Sequence, residues 1–106
     1  MFEKSKPRYL TRGVDENIPL ELQMFMWEAV DIMPEPKDYL QILRLESFGI
    51  MQRITHEQEI PKFKREYLIP TNNPITAKVY IIDDGEYCTM LLASEDNVNS
   101  FFKFYW

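Results

Sequence analysis

The sequence predicts an α+β domain: a single N-terminal helix packed on a mainly antiparallel, twisted β-sheet of about five to six strands. Three observations carry this. Residues 18–33 repeat apolar side chains at helical spacing. From residue 39 onward the period drops to two, as in strands. Asp84-Gly85 then separates two apolar runs, a strong short-range hairpin signal.

Taken in order, Tyr9 to Val14 reads as a short strand, ended by Gly13 and the turn cluster Asp15-Glu16-Asn17. Asn17 is the expected N-cap of the helix, and Pro19 follows in the first turn, where its missing N–H costs nothing. The helix runs to about Met33 and stops before Pro34 and Pro36. Tyr39 to Ser47 and Ile50 to Ile60 are strands joined around Phe48-Gly49. In the second, Ile50, Gln52, Ile54, His56, Gln58 and Ile60 share one face and Met51, Arg53, Thr55, Glu57 and Glu59 the other, which predicts a sheet with one wet side. Pro61 breaks that strand, and Phe63 to Ile69 alternates again. Ala77 to Asp83 and Glu86 to Ala93 form the hairpin, with Asp84-Gly85 expected at the two positive-φ positions of a type I′ turn. Its arms are apolar on both faces, which predicts central strands covered on two sides.

The helix carries two apolar stripes at about 100° per residue. Leu22, Phe25, Met26, Ala29, Val30 and Met33 make the broad one, expected to face the core. Leu20, Met24 and Trp27 lie nearly opposite, ending at Asp31. A helix outside a sheet needs only one such stripe, and burying two large side chains and a Trp is worth several kcal/mol at about 25 cal/mol per Å². Three covers are open: the chain's own aromatic tail, a partner (most simply a second copy), or none, with the helix turned or Trp27 exposed. The tail, Phe101-Phe102-Lys103-Phe104-Tyr105-Trp106, is five-sixths aromatic, unlike an ordinary frayed terminus.

A length of 106 residues suits one domain, residues 1–106, with 1–7 read as a flexible basic leader and 94–106 as the aromatic tail. An apolar fraction of 45% argues against disorder. The lone cysteine, Cys88, permits no internal disulfide, and the leader has no apolar h-region, so a cytoplasmic location is expected. Apolar runs are too short to span a membrane. A net charge of −5 disfavours phosphate backbones as partners, despite basic residues at Lys4, Lys6, Arg8 and Arg12 and at Lys62, Lys64 and Arg65.

No catalytic or metal motif stands out. His56, beside Glu57, is the sole histidine; it could serve as a general acid or base, but a packed structural role outweighs that. Metal binding would need further His or Cys ligands, and no cofactor is implied. Cys88, mid-strand, reads as a buried thiol. The acidic tip Asp83-Asp84-Gly85-Glu86 lacks the alternating ligands of a calcium loop. Three glycines in all rule against glycine-rich phosphate loops.

Tyr9-Leu10-Thr11-Arg12-Gly13-Val14, Ile18-Pro19-Leu20-Glu21-Leu22-Gln23, Trp27 and Asp31 resemble the opening of the DUF960 family, short proteins of Firmicutes including staphylococci. Gln58-Glu59-Ile60-Pro61, Val79-Tyr80-Ile81-Ile82-Asp83-Asp84-Gly85 and Thr89-Met90-Leu91-Leu92-Ala93 resemble its later segments. The resemblance covers about residues 8–95, implies a cytoplasmic Gram-positive protein, and brings no activity with it. The expected function is therefore that of a non-enzymatic binding or accessory protein, in contact with a protein partner or self-associating, with a homodimer open. Its candidate interface is Leu20, Met24 and Trp27 with Phe102, Phe104 and Trp106 of the tail. The alternatives are a small enzyme or ligand binder with His56 in a pocket between sheet and tail, and a nucleic-acid-associated regulator using the leader.

Overall fold

A computed structural model of the protein describes residues 1–96 in full and residues 103–105 as backbone. The elements are β1 (Arg8–Thr11), α1 (Arg12–Asn17), α2 (Leu20–Ile32), β2 (Leu40–Phe48), β3 (Met51–Gln58), β4 (Phe63–Pro70), β5 (Ala77–Asp83), β6 (Cys88–Leu92), a 3₁₀ turn (Ala93–Glu95) and β7 (Lys103–Tyr105). The strands form one sheet in the order β4-β3-β2-β5-β6-β1-β7. The α+β class holds, but the sheet is mixed. β1 runs parallel to β6, with Arg8 opposite Cys88, while the other pairings are antiparallel. A parallel neighbour needs a crossover, and here the whole stretch from α1 to β5 separates β1 from β6.

The expected single helix is two. Residues 12–17, read as strand end and turn, form the short α1. Thr11 is its N-cap, its hydroxyl accepting from the Val14 N–H at 3.4 Å and donating to Glu95 Oε1 at 2.6 Å. Asn17 caps nothing downstream; its side chain donates back to the Gly13 carbonyl. Pro19 stands at the N-cap of α2, with extended backbone and no side-chain acceptor. Gly13 is a place where the absence of Cβ matters. The Glu95 carboxylate lies against its Cα and accepts from the N–H groups of Gly13 and Leu92. Gly13→Ala should push Glu95 off these donors and lower stability by roughly 1–2 kcal/mol. Urea midpoints in a cycle with Glu95→Ala check this: the two losses should fall well short of adding, because one contact underlies both.

The hairpin of β5 and β6 is where it was expected, but its turn differs. Asp83 pairs with Cys88, leaving a four-residue loop, Asp84–Tyr87, in place of a two-residue type I′ turn. Only Gly85 has positive φ, at 105°. The Asp84 carboxylate accepts from the Glu86 and Tyr87 N–H groups and the Asp83 carboxylate from Gly85 N–H, an arrangement that leaves Asp84 in an ordinary conformation. The β2–β3 turn is the tight one. Phe48 pairs with Met51, and Gly49, at φ 62°, takes the first loop position.

The core lies between α2 and one face of the sheet. It joins Leu22, Met26 and Val30 of the helix to Leu43, Leu45, Ile54, Val79, Ile81, Cys88 and Met90 of the strands. On the opposite face, Arg44 pairs with Glu57 and Arg53 with Glu46 across β2 and β3, the wet side that the alternation predicts. Three glutamines on the core face carry the polar load. Gln52, fully buried, donates to the carbonyls of Glu46 and Ile75 and accepts from the Ile75 N–H, fastening the β4–β5 connection to the sheet.

Candidate functional site

The two stripes of α2 meet different fates. The buried residues of the helix are Leu22, Gln23, Met26, Trp27, Ala29 and Val30. This arc is rotated from the expected one by about half of a 100° residue step. Trp27 therefore turns inward and is 1% exposed, whereas Phe25 moves to the flank, edge-on to Tyr67 at 4.9 Å. The cover of Trp27 comes from the start of β1. Arg8 places its guanidinium 4.7 Å from the Trp27 ring centre and makes a two-pronged ion pair with Asp31, one turn further along α2. The Asp31 that closes the second stripe thus holds the cation that covers it. Trp27 is a core residue and not an exposed interface anchor.

Residues 1–7, expected as a flexible leader, are held by the same mechanism. Phe2 is 2% exposed and belongs to the core. Its N–H donates to Asp83 Oδ2 at 2.7 Å, and Lys6 Nζ approaches the same carboxylate at 2.8 Å. Burial alone would raise the Asp83 pKa. Hydrogen bonds from Lys6, Phe2 and Gly85 outweigh it and bring the carboxyl below its ordinary value. Asp83, read as part of a solvated acidic tip, is a buried anchor for the leader.

Leu20 and Met24 stay outside, 62% and 54% exposed and one helical turn apart. They flank a groove of about 790 Å³ between α1, the α1–α2 corner and α2. Leu10, Ile18 and Pro19 give it an apolar lining, and Asp15, Glu16 and Asn17 stand along its α1 side. None of these α1 residues stood among the candidates. Thr11 followed by Val14-Asp15-Glu16 is an N-terminal helix signature that could have revealed them. Of the tail candidates, the Phe104 backbone is described, paired with Leu10 on β1, while Phe102 and Trp106 lie outside the described residues.

His56 is fully buried at the other end of the core face and is not part of the Leu20–Met24 groove lining. Its Nε2 lies 2.7 Å from Gln41 Oε1. Gln41 gives its amide N–H groups to the Asp38 carbonyl and to Gln58 Oε1, so its oxygen faces the imidazole and His56 Nε2 is the donor. Gln58 in turn donates to the carbonyls of Pro36 and Pro61, tying both proline turns to the sheet. Burial, then the positive charges of Arg65 and Lys37, lower the His56 pKa to about 4. Such an imidazole is neutral at pH 7 and serves a structural network. Glu57 points to the opposite face, toward Arg44. Cys88 is buried, and that burial raises its thiol to about 11, far from the thiolate a nucleophile requires. Among the described residues no group of His, Cys, Asp and Glu is arranged to hold a metal ion, and no helix is long and apolar enough to cross a membrane.

The chain is similar over 89% of its length to a protein of unknown function from Enterococcus faecalis known from its crystal structure, which it covers to 93%, with a TM-score of 0.80 and 22% identity. That likeness establishes the fold. No curated protein matches. Residues 7–95 match the family described as staphylococcal protein of unknown function (DUF960), and the chain belongs to that family.

Proposed function

We propose that the protein is a non-enzymatic binding or accessory protein that acts through protein–protein contact at the Leu20–Met24 groove. The observation that supports this is the pair of large apolar side chains left exposed one turn apart beside an apolar-lined groove, while Trp27 of the same helix is buried. Residues that stay this exposed on a packed helix contribute little to folding, so their apolar surface is available to another molecule. A cytoplasmic setting belongs to the same reading, supported by the single buried thiol.

Leu20→Asp together with Met24→Asp should change stability by less than about 0.5 kcal/mol for each substitution. The same double variant should lose a protein retained by the wild-type chain in affinity capture from its own cells. Identical capture by both chains, at equal melting temperature, removes the groove as the contact site. The enzyme alternative is less well supported, because its proposed acid or base, His56, is fully buried and hydrogen-bonded to Gln41.

A further inference from the structure

The groove has a charge pattern as well as an apolar lining. Asp15 and Glu16 are exposed on its α1 side, and among the described residues no Lys or Arg lines it. Neither carboxylate enters an ion pair among the described residues. Three kinds of occupant can be compared on this basis. A nucleic acid or an anionic membrane would meet two carboxylates first. A second copy docked across a two-fold axis would meet this patch with the same patch, which offers its two carboxylates no cation among the described residues. A segment with an apolar stripe and flanking cations would satisfy both the lining and the rim.

Resting on the reading of the groove as a protein-contact site, we propose that its occupant is an amphipathic segment of another protein, apolar toward Leu20 and Met24 and carrying Lys or Arg toward Asp15 and Glu16. The apolar side supplies affinity, and the cations set orientation and selectivity. This predicts association that weakens as salt rises, since the rim is solvent-exposed.

Two model helical peptides of roughly 16 residues test it, with the same leucine stripe and either Lys or Glu on the polar face. Binding to the full chain is read by fluorescence anisotropy. The Lys peptide should bind at least about tenfold tighter than the Glu peptide. Asp15→Lys with Glu16→Lys should abolish that preference. Glu59→Lys with Glu86→Lys, an equal charge change outside the groove lining, should leave it intact. Leu20→Asp with Met24→Asp should abolish binding of both peptides. If both bind alike and the Asp15/Glu16 reversal has no effect, the proposal fails while the groove survives as a contact site. If neither peptide's binding depends on Leu20 and Met24, both readings fail. A photo-cross-linking amino acid placed at Met24 identifies rival occupants. Capture of residues 97–106 within one chain, or of a second copy in a sedimenting dimer, overturns the proposal.

Discussion

Trp27→Ala is expected to lower the unfolding free energy by about 4 kcal/mol, the range for deleting a large aromatic from a packed interior. Small domains have only about 5–15 kcal/mol in total, so this single change brings the protein near its limit. The loss has two parts. The indole is removed from a core that includes Met26, Val30 and Phe2. The Arg8 guanidinium also loses the ring beneath it, although Asp31 still holds it. Trp27→Phe should recover much of the first part. Urea unfolding followed by far-ultraviolet circular dichroism checks both variants. A cost under about 0.5 kcal/mol, normal for a surface site, would return Trp27 to the exposed stripe and rule out Arg8 as its cover. The result also bears on function. A binding defect in Trp27→Ala would report unfolding, so the groove must be probed at Leu20 and Met24.

The second large effect depends on pH. His56 titrates at about 4 in the folded protein, against 6.5 as its ordinary value. Above pH 6.5 the imidazole is neutral in both states, and its full contribution is present. As pH falls from 6.5 toward 4, the unfolded chain takes up a proton that the native chain refuses. Stability therefore drops by about 1.4 kcal/mol per pH unit, or roughly 3 kcal/mol across the window. Urea midpoints measured from pH 7 to pH 4 should show this slope, and His56→Gln should flatten it, since a glutamine can still donate to Gln41. Proton NMR of the His56 ring supplies a check independent of any variant: its signal should not shift between pH 7 and pH 5. A midpoint near 6.5 would sink the prediction. Below this window Asp83 becomes the sensitive group. Its folded pKa lies under the ordinary 3.8, so its contribution is complete above that value and is lost as pH falls through the lower one.

What could be read from the sequence follows from the range of each signal. Local periodicity located β2 to β6 and α2 within a few residues, because alternation and helical spacing are properties of neighbouring side chains. The turn at Asp84 was placed correctly but mistyped, since the deciding interaction is the Asp84 carboxylate with Glu86 and Tyr87 N–H, which Asp-Gly statistics do not contain. Misreading α1 had the same origin. Gly13 looked like a strand end, whereas it gives Glu95, far along the chain, room to approach. The split of the second stripe was illegible for a related reason. Arg8 and Asp31 lie 23 positions apart, and only the folded chain brings the guanidinium over Trp27. For the candidate site, Leu20 and Met24 are visible as an unneeded apolar pair, but the groove beside them depends on the corner between α1 and α2, and residues 12–17 read as a strand end and a turn rather than as a helix.

The parallel pairing of β1 with β6 sets an order of events during synthesis. Phe2, Thr11 and Gly13 find their partners 81 and more residues later, on Asp83 and Glu95. By the time the ribosome has made β1, α1 and α2, no sheet edge exists to receive them. The meander of β2, β3 and β4 needs only neighbours and can pair first. β5 and β6 follow, and β1 can dock only onto that finished edge, bringing Phe2 and the Arg8–Trp27 stack with it. β1 is thus expected among the last strands to pair, and until it docks Trp27 lacks the Arg8 guanidinium that covers it.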